Sequence, residues 1–145
     1  MDHLLVQRRI FAILLDEPGA SACAAALEEA DELLLSAASL TELLIVAAGK
    51  DVLDLTQRLL NALAPTIVPV TEQRALAAAE AYRSWGKGFH DARLNFGDCF
   101  AYALAKEHGC PLLFVGSDLA LTDVEPALAA NPAPPAPGPV ERPPE

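Results

Sequence analysis

The chain has 145 residues, a formal net charge of −10 and 52% hydrophobic residues. Its length fits one domain of about 100–150 residues followed by a tail, and no apolar run reaches the ~20 residues that a transmembrane helix requires. An acidic chain argues against broad nonspecific binding of nucleic acid, because that binding depends on Lys and Arg. It leaves room for a nuclease with a local basic strip, or for a protein that binds a basic partner segment.

The cysteines and the N-terminal region indicate a reducing compartment. Cys23, Cys99 and Cys110 are odd in number and lie in apolar sequence, so we expect buried free thiols rather than a disulfide or a metal site. Residues 10–15 are apolar, but this run is short and is followed by acids rather than by a small-residue cleavage site. We therefore expect a cytoplasmic protein without a signal peptide or a membrane segment.

Short apolar strands alternate with Ala- and Leu-rich helices along the chain. The expected elements are a stub of strand at 4–6, an apolar segment at 10–15, a helix at 20–30, a strand at 33–35, helices at 39–48 and 52–63, a strand at 66–70, helices at 72–85 and 96–108, and a strand at 112–115. This alternation predicts a three-layer α/β/α sandwich with a mostly parallel central sheet. The Pro- and Ala-rich residues 127–145 cannot form a core, so we expect a domain over 1–126 and a disordered tail.

Local patterns predict where three helices begin and which faces they bury. Ser39 and Glu42 match the Ser-x-x-Glu capping box, which predicts a helix that begins at Ser39. Asn95 suits an N-cap and places Asp98 at the third helical position, where the helix dipole favours negative charge. That helix is apolar almost all round from Phe96 onward, so we expect it to be buried. The spacing in the helix at 52–63 predicts a core-facing set: Val52, Leu53, Leu55, Leu59, Leu60 and Leu63.

Three acids are the candidate catalytic residues: Glu42, Asp98 and Asp118. Asp118 follows the strand at 112–115, and open α/β sheets place their ligands outside the carboxyl ends of strands. Hard cations such as Mg²⁺ prefer carboxylate oxygens, and carboxylates this close would otherwise repel each other. Each acid also has a purely structural interpretation. Glu42 can complete its capping box, Asp98 can favour a helix start, and Asp118 can cap a short helix.

Other polar residues favour ordinary surface roles. Asp123 suits a turn or a helix cap better than a metal site, and His90 suits a solvated loop. Four basic residues with Trp85 and Phe89 nearby could form a phosphate-binding strip, although a plain solvated face is the favoured interpretation. These four are Arg74, Arg83, Lys87 and Arg93.

The segment 94–105 closely resembles the signature of VapC-type toxins, which are PIN-domain ribonucleases of bacterial toxin–antitoxin systems. Similar segments lie at 12–18, 36–42, 67–71 and 111–124. The resemblance covers about residues 10–126. It implies a PIN-like fold and an endoribonuclease that depends on Mg²⁺, or on Mn²⁺. It also implies an RNA substrate, inhibition by a VapB-type antitoxin and homodimers.

The same resemblance implies that Glu42, Asp98 and Asp118 are the catalytic and metal-binding acids. The sequence departs from the family at its start, where members have an aspartate at the end of the first strand. Ungapped counting places Val6 at that position and Arg8 near the following hydroxyl position. Three hypotheses therefore remain open. They are a working nuclease, a degenerate toxin that binds antitoxin but cleaves little or no RNA, and an interaction module whose acids only cap helices.

Overall fold

A four-stranded parallel sheet organises the part of the chain that the computed structural model describes, which is residues 3–6, 20–113, 119–124 and 126. Its strands are β1 (His3–Val6), β2 (Glu32–Ser36), β3 (Thr66–Val68) and β4 (Leu112–Leu113). They lie in the order β3-β2-β1-β4, and every neighbouring pair is parallel. The predicted apolar segment at 10–15 and the predicted tail at 127–145 lie outside the described residues.

The helices are α1 (Ala20–Glu29), α2 (Ala37–Gly49), α3 (Leu53–Leu63), α4 (Glu72–Trp85) and α5 (Phe96–His108), with a 3₁₀ turn at Leu119–Leu121. Within the described ranges, no helix combines the length and the apolar character of a membrane span.

The side chains of β2 alternate between two cores and so define the layers. Leu34 packs in a cluster with residues of α4 and α5, whereas Leu33 and Leu35 pack in a second cluster with residues of α1 and α2. Successive side chains of a strand point to opposite faces of the sheet, so helices cover both of its faces. The predicted three-layer α/β architecture with a parallel sheet is confirmed.

Helix α2 begins two residues earlier than the sequence predicted. Its N-cap is Ser36, the last residue of β2, whose hydroxyl accepts from the N–H of Ala38 at 3.2 Å. The predicted start at Ser39 is wrong, because the strand passes directly into the helix and the earlier serine takes the capping role. Ser39 is buried inside the helix. Glu42 therefore lies in the second turn and is not part of a capping box.

Helix α3 buries less of its apolar face than its spacing predicted. Leu53 and Leu55 are 37% and 48% exposed, whereas Leu59 and Leu60 pack partly against the second core. The assignments of Leu53 and Leu55 to the core are wrong. Since α3 packs chiefly against α2, only one side of its apolar stripe is covered.

Helix α5 has the caps that its sequence predicted. The side chain of Asn95 accepts from the N–H of Asp98 at 2.8 Å, and Oδ2 of Asp98 accepts from the N–H of Asn95 at 3.1 Å. Gly109 ends the helix at a φ of 60°, which glycine adopts without strain. The expected burial is confirmed for most of the helix, but not for Phe96, which is 74% exposed. This first residue extends beyond the elements that cover the rest of α5.

The side chains of Cys99 and Cys110 are buried, as the sequence predicted, and the thiol of Cys99 is free. Burial, together with the neighbouring charge of Asp98, raises the pKa of Cys99 to about 11. The thiol of Cys99 is therefore protonated and unreactive at neutral pH. The side chain of Cys23 lies outside the described residues.

A polar network ties the segment after β4 to α4 and α5. Nε1 of Trp85 donates to the hydroxyl of Tyr102 at 3.0 Å, and that hydroxyl donates to Oδ1 of Asp123 at 2.5 Å. Nζ of Lys106 pairs with the other oxygen of Asp123 at 3.2 Å. The hydrogen bond from Tyr102 and the charge of Lys106 lower the pKa of Asp123, while burial and Asp123 raise the pKa of Tyr102 to about 12. Asp123 thus has a structural role.

Ionisation of Tyr102 tests this network. Tyr82→Phe leaves Tyr102 as the remaining one of two tyrosines. In this background we expect tyrosinate absorbance of the folded protein to appear near pH 12, and Asp123→Asn to shift it down. Because unfolded tyrosine ionises at about 10, the neutral phenol contributes its full stability below that pH. The contribution is lost as the pH rises towards 12. Circular dichroism at each pH defines the folded range, and ionisation at the ordinary tyrosine pH within that range would contradict the network.

Candidate functional site

The carboxylate of Glu42 occupies space that a side chain at position 97 would need. A Cβ added to Gly97 would overlap Oε1 of Glu42 and would lie 2.6 Å from its Cδ and 2.8 Å from its Oε2. Since Cβ atoms essentially never approach other heavy atoms so closely, any residue other than glycine would force Glu42 or α5 to move. Sequence reasoning gave Gly97 no role, although a glycine beside an acid in the first turn of a buried helix is a usable signal.

Asp98 follows Gly97 directly, so the carboxylate of Glu42 lies against the same first turn of α5 to which Asp98 belongs. Asp98 is only 6% exposed, and its bond to the N–H of Asn95 fixes its side chain at the helix start. The N-terminus of a helix favours negative charge, which offsets part of the cost of burying two carboxylates. Oε1 of Glu42 is buried and has no hydrogen-bond partner among the described residues.

The residues present fit a hard divalent cation. Carboxylate oxygens are ligands of the kind that Mg²⁺ and Mn²⁺ prefer, and the buried Oε1 of Glu42 accepts no hydrogen bond from the part of the chain that the structure describes. Within the described ranges, no group of three or more His, Cys, Asp or Glu residues could hold a metal ion. The described part of the site therefore supplies two acids, while Asp118 lies outside the described residues. Mg²⁺ is often held by one or two carboxylates together with substrate phosphate and water.

The inner strand β1 ends in an apolar residue, at the edge of the sheet where parallel sheets bind their ligands. β1 lies between β2 and β4, and its last residue, Val6, is paired with Leu113. The structure therefore puts Val6 at the carboxyl end of the central strand, where the sequence comparison with the family expected an aspartate.

The predicted basic strip is reduced to two unpaired cations. The guanidinium of Arg74 makes two bonds of 3.0 Å to the carboxylate of Glu107, and Arg83 pairs with Glu80 at 2.8 Å. Lys87 and Arg93 are exposed and form no ion pair with any described residue; both lie between α4 and α5. The pairing of Arg74 and Arg83 with acids favours the solvated face that the sequence suggested over a continuous strip of four cations.

The loop histidine is exposed, as expected, but it also shapes the turn before α5. Nδ1 of His90 accepts from the N–H of Ala92 at 2.9 Å, and its ring lies edge-on to Trp85 with the ring centres 4.7 Å apart. His90 thus helps to order the loop that leads into the candidate site.

Comparison with known proteins shows the family to which this chain belongs. Residues 9–125 match the PIN domain family. Ribonuclease VapC30 of Mycobacterium tuberculosis is 44% identical over 121 residues, covering 79% of this chain and 90% of that protein. Ribonuclease VapC of Mycolicibacterium smegmatis is also 44% identical over 121 residues, covering 79% and 92%.

The fold is shared with a chain of a solved toxin–antitoxin complex from Klebsiella pneumoniae. The TM-score is 0.61 at 18% identity, and the match covers 83% of this chain and 92% of that one. The resemblance that the sequence indicated is therefore confirmed, and the chain belongs to the PIN domain family, among its VapC-type members.

Proposed function

We propose that this chain is the toxin of a type II toxin–antitoxin system and an endoribonuclease that requires Mg²⁺ or Mn²⁺. One observation carries the proposal: the carboxylate of Glu42 is packed against Gly97, the residue before Asp98, and one of its oxygens is buried without a hydrogen-bond partner among the described residues. The relatives named VapC ribonucleases support the reaction class.

In this proposal Glu42, Asp98 and Asp118 hold the cation, which when bound would lower the pKa of a water molecule and stabilise charge on the phosphodiester. The chain's own part is to fix the acids in place. The capping box of α5 sets the orientation of Asp98, and Gly97 gives Glu42 its position. Two anions held in buried positions bind a cation more strongly than two solvated carboxylates, because little reorganisation is left to do.

The partners in this proposal are an RNA substrate, a VapB-type antitoxin and a second copy of the chain. The structural likeness to a chain of a toxin–antitoxin complex supports the antitoxin. Exposed apolar side chains on neighbouring helices, Ile45 of α2 and Leu55 of α3, offer surface that a protein partner would cover.

A second candidate is a degenerate toxin that keeps the fold and antitoxin binding but cleaves little RNA. The observation that favours it is the position of Val6 at the carboxyl end of the central strand. A valine side chain cannot bind a cation. The site would therefore have one acid fewer than the sites of other family members, and its affinity for the metal ion would be lower.

Loss of Asp98 tests the nuclease. With Mg²⁺ or Mn²⁺, the purified full chain is expected to cleave single-stranded RNA, and Asp98→Asn is expected to reduce the rate by at least about 100-fold. That figure is the upper end of what the loss of an outer-shell partner of a metal costs. Asp54→Asn is the matched control, because Asp54 is exposed and pairs with Arg58 on α3. Equal cleavage by the Asp98→Asn protein would contradict the proposal, whereas no cleavage by the unaltered chain would favour the degenerate toxin.

Gly97→Ala tests the contact between α2 and α5. Alanine normally stabilises a helix relative to glycine by about 0.5–1 kcal/mol. Here we expect destabilisation of about 1–3 kcal/mol, because the added methyl group overpacks against Glu42. In a Glu42→Ala background the same change should be neutral or stabilising, since the opposing carboxylate is gone. Urea unfolding of the four proteins measures the coupling, and an equal cost of Gly97→Ala in both backgrounds would rule out this contact.

Restoring the missing acid tests the second candidate. If the protein is a degenerate toxin, Val6→Asp combined with Arg8→Ser should create or increase metal-dependent RNA cleavage. The matched control is Val6→Asn with Arg8→Ser, which has a similar shape without the negative charge. Should the Asp variant fold, as judged by circular dichroism, and still fail to cleave, degeneration at this position is not the cause of inactivity.

A further inference from the structure

Phe96 is the most exposed of the large apolar side chains in the described part of the chain, at 74%. Its ring is nevertheless held in place. It lies edge-on to Phe100, one turn along α5, with ring centres 5.0 Å apart and an interplanar angle of 65°. Phe100 itself is partly buried against the first core. A fixed aromatic ring that faces solvent offers a ready surface for another planar group.

This ring lies at the rim of the candidate site. Phe96 directly precedes Gly97, against which the carboxylate of Glu42 is packed, and Asp98 comes two residues later. Phe100, against which the ring of Phe96 packs, lines a small cavity together with Ser36 and Val70. Phe96 therefore belongs to the same first helical turn as Gly97, against which the carboxylate of Glu42 is packed.

Unpaired positive charge precedes this ring in the chain. Lys87 and Arg93 lie on the segment between α4 and α5, are exposed, and form no ion pair with other described residues. Most other cations in the described ranges are neutralised by nearby acids: Arg58, Arg74, Arg83 and Lys106. In a chain of net charge −10, two free cations on the loop that leads into Phe96 suit the phosphates of a bound strand.

We propose that Phe96 is a stacking platform for an unpaired base of the bound RNA, with Lys87 and Arg93 contacting the phosphates nearby. The inference rests on the proposed nuclease function and adds to it a residue that would position the RNA, because a base outside a duplex exposes a face for stacking. The occupant is a base rather than a protein side chain, because the cations of the preceding loop, Lys87 and Arg93, suit the phosphates that accompany a base.

The test is RNA binding by the full chain, measured by fluorescence anisotropy with a labelled single strand in EDTA, so that no RNA is consumed. Phe96→Ala is expected to weaken binding by about 5- to 150-fold, the range found when an aromatic stacking partner of one base is removed. Phe96→Trp should retain the affinity. Phe96→Leu should behave like Phe96→Ala, because leucine keeps apolar contact but has no ring. The same RNA annealed to its complement should bind all four proteins equally.

Phe89→Ala is the matched control. Phe89 is also exposed, at 61%, and also lies edge-on to another ring, that of Tyr82, at 5.8 Å. It is not next to the acids, so its loss should leave the affinity for single-stranded RNA unchanged. Equal losses in the Phe89→Ala and Phe96→Ala proteins would contradict a platform at Phe96. Full affinity in Phe96→Leu would overturn stacking and indicate an apolar contact of the kind a protein partner makes.

This experiment separates the platform from the nuclease. If the chain cleaves RNA in an Asp98-dependent way while Phe96→Ala binds and cleaves normally, the platform is wrong and the nuclease stands. If binding of single-stranded RNA depends on Phe96 but neither Mg²⁺ nor Mn²⁺ gives cleavage, the nuclease is wrong and the platform stands. Melting temperatures of all variants should agree closely, because Phe96 is a surface residue.

Discussion

The contact between the carboxylate of Glu42 and the backbone at Gly97 is the constraint on which the candidate site depends. It requires α2 and α5 to approach without a side chain between them. Both helices contact β2, on opposite faces of the sheet, and α2 begins directly at the carboxyl end of that strand. The central sheet therefore acts as the common support that sets the separation of two acids distant in sequence.

Much of the fold could be predicted because its signals are local. Asn95, Asp98 and Gly109 fix the ends of α5 through their own hydrogen bonds and φ angles, so sequence alone sufficed there. The start of α2 could not be predicted as well. Two serines compete for the same role, and only the pairing of β2 with its neighbours decides that Ser36 takes it. The exposure of Leu55 likewise depends on tertiary packing, because sequence periodicity identifies an apolar helix face but not the elements that cover it.

The candidate site was predictable in its residues but not in its geometry. Spacing made each acid equally compatible with helix capping, and the resemblance to a family was what singled out Glu42 and Asp98. For Glu42 the structure removes the capping interpretation, because the residue lies inside α2. For Asp98 the capping role is real, and it fixes the same side chain that we propose to bind a cation. The position of Gly97 between them could be recognised only from the packing of two helices.

The order of strands in the sheet has a consequence for synthesis on the ribosome. The first three strands of the chain all lie before position 69 and can pair once residues up to Val68 have emerged. Helix α5 and β4 are synthesised much later. Strand β1 lacks its second neighbour, β4, until Leu112 has been added to the chain. Until then Glu42 stays hydrated and without its neighbours. We therefore expect a nascent chain to have no assembled acidic centre before nearly the whole domain has been translated.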